Sequence, residues 1–507
     1  MKKIKKILIA NRSEIVSRIN ATCKALNIKT VSIYSPEDKY LKYVFDTDER
    51  YPLSKNGYSA YLNQEEIINI ALNAQVDAIH PGYGFLSENS QFAQKIIDTG
   101  LIWIGPNPET IKLMGNKICA RNTLLSKQIP VIPGFYLKEI NQETLKKIEK
   151  EIGYPIILKD PNGGGGKAIK KINSEQELKI SFEAIKIEVK KLTGSTELLL
   201  EKYIQNGRHI EIQIAGDSQN FVHFYERECS IQRRHQKIIE ETPCNFVSQE
   251  ILNKMYETAI IAAQSIKYKN IGTVEFLVTN DQNLQNSNFK KTKFYFLEVN
   301  TRLQVEHSVT ELTTGIDLVA LQIEIAQTNL LSYKQKNIFR KNHAIECRIY
   351  AEDPDNNFMP STGQIINLNF PDDPFLRIDH NLEENLIINA FFDPMIAKVT
   401  ILGQNRDNAI SKMLHVLEKL NISGIKTNIY FLKNILKTTK FLSGDFDTQI
   451  LGDQNFLHKL IQNITTSDRH SYIAATAVKL FQEIINKKNN FNKNQNTNKN
   501  WRDQLWE

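Results

Sequence analysis

Glu275 lies inside an otherwise apolar run, Thr-Val-Glu-Phe-Leu-Val at 273–278, and that placement constrains the fold more than any other feature of the chain. The run reads as a buried strand. A carboxylate within it must be paired with a cation or coordinate one, because burying it alone is very unfavourable. A second segment, Leu-Glu-Val-Asn-Thr-Arg-Leu-Gln-Val-Glu at 297–306, alternates polar with mostly apolar residues, as a half-buried strand requires. If it is extended throughout, Glu298, Asn300, Arg302, Gln304 and Glu306 share one face. That face carries groups that coordinate metals or recognise anions, whereas a solvated strand face commonly carries Thr and Lys. Glu275, Glu298 and Asn300 together make an oxygen-rich set suited to Mg²⁺, which takes one or two carboxylates beside waters and phosphate oxygens.

At 507 residues the chain is too long for one core and calls for two to four domains. It opens as alternating strand and helix: a strand at 7–10, a helix over 13–26 and a strand at 30–34, a parallel α/β unit. The turn after the first strand carries Asn11-Arg12 and no G-x-G-x-x-G, so a dinucleotide site is unsupported. A loop rich in Gly, Pro and aromatics, His80-Pro-Gly-Tyr-Gly-Phe-Leu-Ser-Glu-Asn89, follows a short strand at 76–79, where α/β proteins place binding loops; a structural turn is the equal alternative.

Between strands expected at 156–159 and 197–202 stand four glycines, 163–166. They can bring backbone N–H groups close to phosphates, and the surrounding region, about 130–202, reads as a small lid. The motif is not a Walker A sequence, which needs Gly where Pro161 stands and Ser or Thr where Ala168 stands. Lys117 and Lys159 are the cations to place on phosphates, Lys159 because it ends a buried strand just before the glycines. Gln232-Arg-Arg-His-Gln-Lys237 is either a surface charge cluster or, with Arg302 near Lys237, a hold for a small anion.

The formal charge of +7 comes from lysines scattered among Asn and Ile along the whole chain, a compositional bias and not a nucleic-acid-binding patch. Cys23, Cys119, Cys229, Cys244 and Cys347 include no C-x-x-C pair, which argues against a disulfide framework or a zinc site and for a reducing compartment. The apolar run at 7–9 is too short for a signal peptide, and no stretch approaches a membrane span; the expected location is the cytoplasm, with no membrane partner. A helix is expected over 468–488, then a Lys/Asn tract at 489–500 that can bury almost nothing, then a tail with Trp501 and Trp506.

Taken in order, Ala10-Asn-Arg-Ser-Glu-Ile15, the 80–89 loop, Leu113-Met-Gly-Asn-Lys117, Glu201-Lys-Tyr203, Arg208-His-Ile-Glu-Ile-Gln213, Glu228-Cys-Ser-Ile-Gln-Arg-Arg-His-Gln-Lys237, the 298–306 block, Glu346-Cys-Arg348, Asp393-Pro-Met-Ile396 and Gly424-Ile-Lys-Thr-Asn428 resemble the biotin carboxylases, of the ATP-grasp superfamily, over roughly residues 1–450. The resemblance implies an α/β fold: a Rossmann-like N-terminal domain over 1–113, an ATP-grasp core over 114–340 with its lid at about 131–204, an α+β C-terminal domain over 341–450, and a helical, Lys/Asn-rich tail over 451–507. It implies ATP contacts from Lys117, Lys159, Gly165, Gly166, Glu201, Lys202, His209, Gln232 and His235, with Ile204 at an adenine position. Glu275 and Glu298 belong to the same ATP site and, with Asn300, would hold one or two Mg²⁺ or Mn²⁺. Lys237, Arg302, Gln304, Val305 and Glu306 would bind bicarbonate, with Glu306 as the base and its ionisation favoured by Arg302. Arg348 and Asp393 would meet biotin, and Arg302, Glu306, Lys237 and Arg348 carry the chemistry.

The only Met-Lys pair is Met1-Lys2, so biotin would arrive on a separate carrier protein. Carboxyltransferase subunits and a homodimer, with Arg18 and Arg377 as the residues to inspect, are the other partners implied. The chain departs from the family pattern at Ser13 (usually Gly), Ser308 (usually Pro), Phe391-Phe392 (usually Tyr-Tyr) and around the glycine run at Asp160, Pro161, Ala168, Ile169 and Lys170. The last group keeps open a weakened chain serving as a scaffold. The nucleotide and metal residues alone also fit another ATP-grasp ligase.

Overall fold

The computed structural model describes residues 3–161, 169–195, 197–279, 294–462 and 477–481. Strands β1 (Lys6–Ile9), β2 (Lys29–Tyr34), β3 (Glu49–Pro52), β4 (Ala78–His80) and β5 (Ile102–Trp103) form a parallel sheet in the order β3-β2-β1-β4-β5. Ile7 and Ile9 join the core built on Ile15, Val16 and Ile19 of the helix Glu14–Ala25. Leu8, pointing the other way, joins Ile67, Ala71 and Phe92. A strand covered on both faces reads as a continuous apolar run, as this one does. This is the expected Rossmann-like domain, and its strand order reverses between β1 and β4, where such sheets open a crevice. Here the chain closes its own crevice: Asn11 Nδ2 donates to the carbonyls of Pro81 and Tyr83, both at 2.7 Å.

A second, antiparallel sheet holds β6 (Gly134–Leu137), β7 (Ile156–Lys159), β8 (Ile169–Ile172) and β9 (Leu198–Lys202) in the order β6-β9-β7-β8. The helix Glu175–Thr193 packs on it through Leu178, Phe182, Ile185 and Val189, one stripe at helical spacing. Ser174 caps that helix at the Glu177 N–H, and Gly194, at φ 76°, ends it. The glycines at 163–166 and Ala168 lie outside the described residues, so the structure is silent on Gly165 and Gly166.

The largest sheet is antiparallel and comprises β10 (Arg208–Asp217), β11 (Phe221–Arg233), β12 (Gln236–Thr242), β13 (Lys269–Val278), β14 (Phe294–Asn300), β15 (His343–Tyr350), β16 (Leu376–His380) and β17 (Met395–Gly403). Its order, β14-β13-β10-β11-β12-β15-β17-β16, runs unbroken across residue 340. Along β10, Ile210, Ile212 and Ile214 share a core with Leu252, Met255 and Ala259 of the helix Gln249–Ser265. His209, Glu211 and Gln213 take the opposite face, as the two-residue period demands, and are buried as well.

One expectation fails here. The strand foreseen through 306 ends at Asn300, with a register shift against β13 between Glu275 and Phe276. Residues 301–306 form a turn, and a helix, His307–Thr314, follows at once. The cause is visible in the bonding: Thr301 N–H and hydroxyl both reach Glu88 of the 80–89 loop, at 3.0 and 3.3 Å, so the chain leaves the sheet to meet another domain.

Residues 1–453 form one compact unit and 454–507 a second. In the latter, Gln454–Gln462 and residues 477–481 are helical; the rest of the helix expected over 468–488, the Lys/Asn tract and the final segment lie outside the described residues. Among the described residues no helix is long and apolar enough to cross a membrane.

Ser13, where the family usually has Gly, adopts φ 61° and ψ −140°, a region that side-chain-bearing residues rarely enter. Ser13→Gly is expected to stabilise the protein by about 1 kcal/mol, the relief of strain exceeding glycine's extra entropy cost. Thermal unfolding checks this, and a lowered midpoint would show that the serine is unstrained.

Candidate active site

Three adjacent strands bring carboxylates into one row. Glu211 on β10 stands opposite Glu275 on β13, and Glu275 stands opposite Glu298 on β14. Like charges directly opposed across strands are destabilising, so cations must answer them. Lys237 on β12 does most of this: its Nζ lies 2.5 Å from Glu211, 2.9 Å from Glu275 and 2.7 Å from Glu306. Burial pulls the Lys237 ammonium down, but the three carboxylates outweigh it and hold it well above its ordinary value. For Glu306, burial acts upward, and Lys237, Arg348 and Arg227 overcome it, leaving the carboxyl well below the usual carboxylate range. Glu275 follows the same logic under Lys237 and His209.

Arg227 on β11 is fully buried and uses every N–H it has. It donates to Glu211 at 2.5 Å, Gln213 at 2.7 Å, Thr310 at 3.0 Å, Thr273 at 3.0 Å and Gln304 at 2.6 Å. Gln304 in turn donates to Glu275 at 2.8 Å, so the turn at 301–306 is bolted to the sheet. From β15, Arg348 donates to Glu240 at 2.6 Å and to Glu306 at 3.0 Å.

The Arg302 guanidinium pairs with Glu88 at 2.9 Å and with Asn300 Oδ1 at 3.0 Å, and against burial Glu88 and then Glu306 hold it above its ordinary value; the cations that hydrogen-bond to Glu306 are Lys237 and Arg348. The loss of the extended strand explains this, since side chains on a turn no longer share a face. Val305 contributes its carbonyl, which accepts from Lys398 at 2.8 Å.

Around the lid, Lys159 forms a close ion pair with Glu201, which Arg121 also approaches at 3.4 Å. Lys202 Nζ reaches the carbonyls of Gly153 and Tyr154, each at 3.1 Å. Ile204 is buried with Ile132 and Tyr295. Lys117, at the start of the helix Lys117–Leu125, lies 3.6 Å from Glu298. His209 Nε2 is 3.1 Å from Glu275, and its Nδ1 is 3.0 Å from Gln232. His235 is exposed at the tip of the β11–β12 hairpin, at φ 64°. Asp393 accepts from the Met395 N–H at 2.9 Å and lines a small cavity, about 50 Å³, with Arg12, Ser13 and Phe392.

Glu275, Glu298 and Asn300 are two cross-strand carboxylates and an amide oxygen, hard donors of the kind a hydrated Mg²⁺ or Mn²⁺ takes. These residues therefore fit a divalent cation.

Sequence reasoning missed Glu211, Arg227, Glu240, Glu88 and Lys398. Glu211 and Lys398 obey the rule that found Glu275, an ionisable side chain inside an apolar strand: Ile210-Glu-Ile212 and Ile396-Ala-Lys-Val399. Arg227 and Glu240 sit among other charges, where that rule is silent.

Family models match three consecutive stretches: "Biotin carboxylase, N-terminal domain" over residues 3–111, "Carbamoyl-phosphate synthase L chain, ATP binding domain" over 116–334, and "Biotin carboxylase C-terminal domain" over 346–453. The chain is 44% identical over 448 residues to biotin carboxylase 2 of Bacillus subtilis, covering 88% of this chain and 98% of that one. It is similar to the crystal structure of the biotin carboxylase domain dimer of Hydrogenobacter thermophilus 2-oxoglutarate carboxylase in complex with MgADP, ADP and bicarbonate, with TM-score 0.84 and 39% identity over 90% of this chain and 99% of that one. A Campylobacter jejuni biotin carboxylase complexed with a β,γ-ATP compound matches with TM-score 0.83 and 40% identity, over 89% and 99%.

Replacing Lys237 by Met leaves three buried carboxylates without their shared cation. The variant is expected to lose about 3 kcal/mol of stability at pH 8 and less at pH 5. The sign follows from linkage: carboxylates that have lost Lys237 hold protons to higher pH in the folded state than in the unfolded one, so stability declines as pH rises. Thermal unfolding of both proteins at the two pH values tests this, and an equal loss at both would refute it.

Proposed function

The chain belongs to the biotin carboxylase family and is an ATP-dependent ligase, and from that premise we propose that it carboxylates biotin carried on a separate protein, with bicarbonate as the carbon source. The observation that carries this reading is the meeting of Lys237, Glu306 and Arg348 at one point, 2.7 and 3.0 Å apart, beside the Glu275–Glu298 pair.

ATP lies against Lys117, Lys159, Glu201, Lys202, His209, Gln232 and His235, with Ile204 against adenine and Gly165 and Gly166 of the glycine run over the phosphates. Glu275, Glu298 and Asn300 would hold one or two Mg²⁺ or Mn²⁺, which when bound would offset the charge of the phosphates. Bicarbonate takes Lys237, Arg302, Gln304 and the Val305 backbone. Because Lys237 is shared among three carboxylates, an anion that draws on it weakens its hold on Glu306. The Glu306 carboxylate then becomes basic enough to take the bicarbonate proton.

The bicarbonate oxygen attacks the γ-phosphorus and ADP leaves, giving carboxyphosphate, which breaks down to CO₂ and phosphate. That phosphate takes the proton from the biotin ureido nitrogen, which attacks CO₂, while Arg348 stabilises the enolate-like ureido anion through its fixed planar donors. Asp393 lies on the loop beside biotin. The carboxyl group then passes, by way of a carboxyltransferase partner, to an acyl-CoA such as acetyl-CoA. A homodimer forms about the cleft of about 660 Å³ that Arg18, Glu311, Arg377 and Asp379 line.

ADP release with Mg²⁺ and bicarbonate, with and without free biotin, tests the reading. Biotin is expected to stimulate turnover, and Glu306→Gln to reduce it by about 10²-fold or more. Turnover that biotin does not raise, or that survives in Glu306→Gln, would remove the proposal.

A further inference from the structure

Lys398 on β17 is wholly buried, and it stands directly opposite Arg348 of β15 in the antiparallel register. Two cations in register on adjacent strands repel each other, and burying either is costly. The pair is therefore expected to serve something that both are needed for.

One bonds to the Glu306 side chain, the other to the backbone just before it. Arg348 grips the carboxylate at 3.0 Å. The Lys398 ammonium donates to the Val305 carbonyl at 2.8 Å, on the peptide group that joins Val305 to Glu306. A peptide is planar, so fixing its oxygen also fixes the N–H and Cα of the following residue. Among the described residues this is the only hydrogen bond of the Lys398 side chain.

Glu14, Asp379 and Glu346 offset the cost of burying the Lys398 charge and hold it above its ordinary value, but none of them takes its hydrogen bond. Asp379 lies 3.4 Å away but is already paired with Arg377 at 2.7 Å. Glu14 is 3.8 Å away, and burial pushes its carboxyl up to about 7 against the pull of Lys398. The turn at 301–306, by contrast, lacks a regular ladder and depends on outside partners: Glu88 at Thr301, Arg227 and Glu275 at Gln304, and Lys398 at Val305.

We propose that Lys398 is a positioning residue for Glu306, holding the backbone of the base while Lys237 and Arg348 hold its side chain. The inference rests on the reading of Glu306 as the base. Misplacement of a catalytic group by about 1 Å costs about 10²-fold in rate.

The test is a double-mutant cycle on bicarbonate-dependent, biotin-stimulated ADP release, using the full chain with Lys398→Met, Glu306→Gln and the double variant. Lys398→Met is expected to lower kcat about 30- to 100-fold, with ATP binding, measured directly, within about twofold of wild type. In the Glu306→Gln background the same change is expected to cost almost nothing more, because a residue acting through Glu306 has nothing left to position. Losses that multiply in the double variant, unchanged kcat in Lys398→Met, or ATP affinity falling along with kcat would each overturn the inference. Should Lys398→Met not fold, Lys398→Arg carries the test: it keeps the charge beside Asp379 and Glu14 but displaces the donor. A kcat lowered about tenfold with ATP affinity intact is then expected, and wild-type kinetics would overturn the inference. If Glu306→Gln alone retains turnover, the reading of the base has failed, which is a different result from a silent Lys398.

Discussion

One ammonium shared by three buried carboxylates is the arrangement on which the site depends. Lys237 meets Glu211, Glu275 and Glu306 within 2.9 Å, and Arg227, Arg348 and Lys117 answer the charges that remain on Glu211, Glu306, Glu240 and Glu298. Burial pushes Glu240 up to about 8 and Glu211 up as well, so acids and cations on this floor come close to balance. A floor in that balance has no cation to spare, and an anion placed on it calls for further positive charge. A divalent cation on Glu275, Glu298 and Asn300, Lys159 from the lid and Arg302 from the turn are the sources at hand. The same balance makes Lys237 the natural partner to be drawn away when an anion arrives.

Strand register makes such a concentration of charge possible. Glu211, Glu275 and Glu298 are neighbours because β10, β13 and β14 pair without slippage at those residues, and the irregularity between Glu275 and Phe276 falls just beyond them. A slip of one residue would send the carboxylates to the face packed on the helix Gln249–Ser265 and bring Ile210 and Ile212 to the face of Lys237. The apolar half of the alternation thus protects the polar half. Glu88 extends the same constraint into the N-terminal sheet, since its carboxylate holds both Thr301 and Arg302.

Much of this was legible in the sequence. The βαβ opening, the lid strands and the buried strand around Glu275 follow from apolar periodicity, and the placement of Glu298 and Asn300 follows from alternation. Alternation misled beyond Asn300, because polar residues in a turn that bonds to another domain can mimic a strand's period without its geometry. Arg302 accordingly bonds to Glu88 and acts on Glu306 through its charge, without a hydrogen bond. Long-range partners such as Arg348 on Glu306 or Glu88 on Thr301 leave no local pattern at all. Glu211 and Lys398 did leave one, and a consistent search for charges inside apolar strands finds both.

The chain's departures from its family pattern show how far the architecture absorbs change. Phe392 stands where tyrosine is usual, yet its ring lies 3.7 Å from the Arg12 guanidinium; that contact needs the π-face and not a hydroxyl. Ser308 replaces proline in the first turn of the helix His307–Thr314, where a backbone N–H has no partner within the helix and either residue is tolerated. Serine adds something proline lacks. Its hydroxyl bonds to Glu346 and lies 2.9 Å from Thr400, and Glu346 is a fully buried carboxyl that burial pushes up, set opposite Glu240 across β12 and β15. A buried acid beside another acid needs every partner it can find. The substitution therefore strengthens the support behind Arg348 and Lys398, the two cations nearest to it, without touching the reacting groups themselves.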